Sequence, residues 1–134
     1  MSVANLEPPY ILDSALVLYY AVLDDSVTYT GRITTYVSGK LLGPVPRLAL
    51  CENLAEDSDF LTFYCNDDWE VLGVGGSQSL EAALSTAERA YSGVKEKWRR
   101  FRLLNAEELA YVEAVRSFVR SEHPSGPYPE PPGA

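Results

Sequence analysis

The sequence predicts an α+β fold: an antiparallel sheet of about five strands within residues 14–75, followed by two helices, 79–91 and 106–121, packed on one face. Three observations carry this. Short runs rich in Val, Tyr and Phe, punctuated by Asp, Asn, Gly and Pro, fill the first half of the chain. After Gly75 and Gly76 the apolar period changes to that of a helix. The 134 residues suit one domain, assigned to residues 1–123, with a flexible Pro-rich tail at 124–134.

Taken in order, Pro8 and Pro9 keep the lead-in irregular. Ala15 to Leu23 is apolar on both faces, as a central strand is; it is too short to cross a bilayer and lacks the flanks of a signal peptide. Asp24-Asp25-Ser26 signals a turn, and Val27 to Val37 alternates apolar with polar residues, which predicts a half-exposed strand paired with the first as a hairpin. Loop signals at 38–46 precede a short third strand, Arg47 to Cys51. Phe60 to Cys65 and Trp69 to Val74, joined by Asn66-Asp67-Asp68, give the strongest hairpin signal; Gly75 and Gly76 are expected to end the sheet. Ser79 suits an N-cap, and Leu80, Ala83, Leu84, Ala87, Ala90 and Tyr91 form an apolar helical stripe. Asn105 and Glu108 have capping-box spacing, and Leu109, Val112, Val115 and Val119 form the second stripe.

Charge is the main functional signal. The chain carries net charge −8, and the division is one-sided: residues 1–78 hold 11 acidic and 3 basic residues, whereas residues 79–134 hold 8 of each. An acidic surface repels phosphate, so nucleic acid is excluded as a general partner and a basic protein is favoured. The carboxylates sit in turns: Asp24 and Asp25; Glu52, Glu56, Asp57 and Asp59; Asp67 and Asp68. Asp also favours turns for conformational reasons, so no single pair is diagnostic.

Chemistry finds less support. The paired Asp residues are adjacent, so their side chains diverge, and no apolar frame raises one pKa for acid–base work. Cys51 and Cys65 fall in strands, far in sequence from the single histidine, His123. No CxxC or HExxH spacing occurs, so neither metal nor cofactor is expected. Two thiols without a disulfide framework suggest a cytoplasmic setting. Gly73-Val-Gly-Gly76 lacks the Lys-Ser/Thr of a phosphate loop. Lys95, Lys97, Arg99, Arg100 and Arg102, interleaved with Trp98 and Phe101, are expected to meet the chain's own carboxylates.

The stretch Phe63-Tyr-Cys-Asn-Asp-Asp-Trp-Glu-Val-Leu-Gly73, with Ser79-Leu-Glu-Ala and Ala87-Glu-Arg-Ala-Tyr91, resembles a hairpin-then-helix pattern of small bacterial proteins. In size and acidity the chain is similar to immunity proteins, which bind and silence a cognate toxin. The resulting expectation is a non-enzymatic binding protein of immunity or inhibitor type. Its partner-binding residues would be Asp24, Asp25, Glu56, Asp57, Asp59, Asp67 and Asp68, with Tyr29 and Tyr36 as aromatic anchors. The alternatives are a small enzyme using acidic residues, or a homodimer joined through an exposed strand edge.

Overall fold

The fold was analysed in a computed structural model, which describes residues 6–123 and 126–132. In chain order the elements are β1 (Ile11–Leu12), β2 (Ala15–Val22), β3 (Thr28–Tyr29), β4 (Thr35–Val37), β5 (Lys40–Leu42), β6 (Arg47–Asn53), β7 (Phe60–Cys65), β8 (Val71–Ser77), α1 (Leu80–Ala90), β9 (Tyr91–Ser92), a single 3-10 turn at Val94–Glu96, β10 (Arg99–Arg100) and α2 (Ala106–Arg120). The expected α+β architecture is present, with an antiparallel main sheet in the order β1-β2-β6-β7-β8 and β10 pairing with β2 beyond β1.

One expected pairing is wrong. The neighbour of β2 is β6, not the segment 27–37. A strand at the centre of a sheet is covered on both faces, and Arg47–Asn53 is buried along most of its length. The alternating Thr28, Thr30, Arg32 and Thr34 would put hydroxyls and a guanidinium into one covered face. That segment splits instead. Thr28 and Tyr29 pair with Ser92 and Tyr91, and Thr35–Val37 folds back on Lys40–Leu42 as a separate hairpin. Gly31, at φ +71°, lies in the break between the two pieces.

Residues paired across the sheet define its two faces. On one lie Leu48, Tyr64 and Ala21, packed with Ala87 and Ala90 of α1, and with Ile33 and Leu42 from the hairpin region. The same face continues to Leu16, where Val112 and Val115 of α2 pack with Leu54 and Ile11. Both helices therefore cover one face, as expected, but Leu109, placed in the second apolar stripe, is 54% exposed, and Val112 and Val115 carry the contact. The opposite face carries Val17, Tyr20, Ala49, Cys51, Phe63 and Cys65, closed by Leu12, Trp69 and Phe101. Register shifts at Val17/Tyr19 and Tyr64/Cys65 add local twist, and the sheet curls until the rings of Tyr20 and Trp69 stand 6.0 Å apart, edge to face.

The helices start as their caps predict. Ser79 accepts the Ala82 N–H, and Asn105 and Glu108 form the full reciprocal box. Gly75 and Gly76 do not end the sheet; β8 runs through them to Ser77. In the stretch read as a tail, the Tyr128 hydroxyl lies 2.7 Å from Ser14 Oγ and its ring packs edge-on against Phe118. Pro124, Ser125, Gly133 and Ala134 of that stretch lie outside the described residues.

Candidate functional site: an acidic cleft and an open sheet edge

The topology decides which acidic turns meet. Val22 pairs with Arg47, Arg47 with Cys65, and Cys65 with Val71, so the Asp24–Ser26 turn and the Asn66–Glu70 turn project from the same end of the sheet. Asn53 and Phe60 lie at the other end, which sends Glu56, Asp57 and Asp59 away from them. The seven carboxylates named as partner-binding residues are thus divided between two ends of the sheet.

At the first end the backbone is held tightly. The Leu23 N–H donates to the Pro46 carbonyl at 2.9 Å, which keeps the chain leaving β2 beside the chain entering β6. The turn closes by Val27 N–H to Asp24 O at 3.0 Å, and Asp24 Oδ1 accepts the Ser26 N–H at 2.9 Å and its hydroxyl. Between this turn and the Pro44–Pro46 strip lies a cleft of about 280 Å³, lined by Asp24, Asp25, Val27, Pro44, Pro46 and the rings of Tyr29 and Tyr91. Sequence reasoning placed Asp24, Asp25 and Tyr29 at a binding face, and the fold brings these three together. It also buries part of Tyr29, whose ring packs on Tyr91 at 5.3 Å. Pro44 and Pro46 read only as loop signals and Tyr91 only as the end of a helical stripe, because only the return of the chain through β9 sets Tyr91 against β3.

The electrostatics of the carboxylates differ. Lys97 Nζ donates to Asp24 Oδ2 at 2.7 Å; this bond, helped by Ser26, holds the Asp24 carboxyl well below the usual range. Asp57 is lowered by its 2.8 Å contact with Arg120, and Glu52 meets Arg116 at 3.2 Å. These three ion pairs join the acidic sheet half to the neutral helical half; only Lys97 among their cations belongs to the run expected to pair with the chain's own carboxylates. Asp59 accepts from the Asn53 amide at 2.7 Å. Asp25, Glu56 and Asp67 are exposed and form no ion pair among the described residues. Asp67 and Asp68 belong to a turn organised by Asn66, whose Oδ1 accepts the N–H groups of Asp68 and Glu70. In that turn Trp69 adopts φ +62° and lies under the Arg47 guanidinium, 5.2 Å from ring centroid to Cζ. In the basic run, Lys97 and Arg102 are paired internally, whereas Arg99 and Arg100 are exposed on β10.

Both thiols are buried and free. Burial pushes Cys65 up to about 12 and Cys51 in the same direction, so neither is a thiolate at neutral pH.

A second surface was missed by sequence reasoning. No described strand pairs with the outer side of β8. Its exposed Leu72 and Val74 alternate with Gly73 and Gly75. Tyr36, expected near the acidic turns, instead borders this edge: it is 65% exposed and lines a groove of about 370 Å³ with Thr35, Thr62, Val74, Gly75 and Thr86. Compared with known proteins, the chain matches no family model, no curated protein and no solved structure. No described helix is long and apolar enough to cross a membrane.

Proposed function

We propose that this chain is a non-enzymatic protein-binding module of immunity or inhibitor type, which docks a basic partner protein at its Asp24–Asp25 end. The observation that carries the reading is the cleft there. Its walls of Val27, Pro44, Pro46 and the Tyr29 and Tyr91 rings suit the aliphatic stem of a Lys or Arg side chain, and Asp25 offers a carboxylate without an internal cation. Asp67, at the same end of the sheet, adds to the field that would steer such a partner. The directions of the pKa shifts give acid–base chemistry no support. The shifted carboxylates Asp24, Asp57, Glu88 and Glu108 are all held down, whereas a general acid needs one held up.

The test is capture from the source cell with the intact chain and with the double variant Asp25→Lys/Asp67→Lys, at low and moderate salt. The expected result is a basic protein retained at low salt, released as salt rises, and lost to the variant. Retention of the same protein by the variant, or no partner at either salt, overturns the reading.

A further inference from the structure

We infer that β8 is a self-association edge, and that the occupant of its open side is β8 of a second copy in antiparallel pairing about Val74. Exposed edges are normally blunted by charge, by proline or by cover. Val71–Ser77 contains no charged residue and no proline, and no described strand pairs beyond it.

The residue pattern is self-complementary. Pairing about Val74 sets that residue beside its own symmetry mate, Gly73 opposite Gly75, Leu72 opposite Gly76, and Val71 opposite Ser77. Gly76 then has a use that the single chain does not explain, whereas Gly73 already makes room for the β4–β5 hairpin. A Cβ at Gly76 would meet nothing within 4 Å, so the space beside it is empty in one copy and available to Leu72 of the other. Leu72 and Val74, 38% and 50% exposed, would become covered, with Tyr36 bordering the same edge. Seven residues make a strand of about 24 Å. Over the depth of the sheet and its covering layer, about 20 Å, two copies bury on the order of 1,000 Å² in total, the lower bound for specific association. The dimer is therefore weak.

Charge sets its salt dependence. Each copy carries −8, so long-range repulsion opposes the approach of a second copy, while the contact strip itself is uncharged. Association strengthens as salt rises, opposite to capture of a basic protein.

The test is sedimentation velocity of the full chain from about 10 µM to about 1 mM, at about 0.05 and about 0.5 M salt. The expected result is a concentration-dependent dimer, favoured at the higher salt and weakened at least about tenfold by Val74→Lys and by Gly76→Leu. Gly76→Leu has free space within its own chain, so circular dichroism should stay that of the parent. Asp25→Lys/Asp67→Lys, which tests the acidic cleft, should not weaken the dimer. A parent that stays monomeric at about 1 mM in high salt, or a folded Gly76→Leu that dimerises as the parent does, overturns the inference.

Discussion

Glu108 does two jobs with one carboxylate. It accepts the Asn105 N–H at 2.9 Å to close the capping box, and it receives both terminal nitrogens of Arg102 at 2.8 and 2.7 Å. Arg102, with the Asn105 N–H, holds its pKa at about 2 against an ordinary 4.5, and Asp24, Asp57 and Glu88 shift the same way. Between those values the unfolded chain takes up a proton that the folded chain refuses, so falling pH favours unfolding. Denaturation midpoints should be flat from about pH 5 to about pH 9, fall from about pH 5 toward pH 2, and fall less steeply there in Glu108→Gln. Cys65 and Tyr91, both raised to about 12 by burial, set the mirror-image limit: their contribution is intact below pH 9 and lost as pH rises toward 12. Gly93 is a backbone case. Its φ is +97°, its N–H donates to Glu88 at 2.8 Å, and a Cβ would stand 2.9 Å from the Ser26 carbonyl. Gly93→Ala should cost about 1–3 kcal/mol in denaturant unfolding and loosen the Asp24–Ser26 turn beside it.

At the scale of elements, the legible parts were those whose signal is local. The stripe from Leu80 to Tyr91 needs only its own period and cap, and α1 occupies Leu80–Ala90. The hairpin of β7 and β8 is written by apolar runs around Asn66-Asp67-Asp68. Residues 27–42 were not legible, because their partners are remote: Tyr91 and Ser92 for one piece, β8 for the other. The second contact shows in Gly73. A Cβ there would lie 2.9 Å from Leu42 Cδ2 and 3.2 Å from Thr35 Cγ2, so the glycine lets the β4–β5 hairpin settle on the sheet. Gly73→Val should lift the hairpin and speed tryptic cleavage after the exposed Lys40, while the helical circular dichroism signal stays unchanged; cleavage at the parent rate would count against that packing.

Over the whole molecule, the chain spends much of its charge on itself. Lys97, Arg116 and Arg120 from the helical half reach Asp24, Glu52 and Asp57 in the sheet half. Exposed pairs of this kind add little stability singly, so their larger effect is on the field: they leave Asp25 and Asp67 as outward charges at one end. Two surfaces follow, an acidic cleft at the end of the sheet and an uncharged strand along its side; the proposed capture of a basic protein and the proposed self-association would respond oppositely to salt. The sequence by itself determined the α+β class, both helices with their caps, the β7–β8 hairpin and the concentration of negative charge in turns, because each depends on local period, capping chemistry or composition. The tertiary structure alone decided that β6 rather than residues 27–37 lies beside β2, that the Asp24 and Asp67 turns share an end while Glu56 and Asp57 lie at the other, and that no described strand pairs with the outer side of β8. These follow from strand order, which rests on contacts between residues far apart in the chain, and no local pattern encodes it.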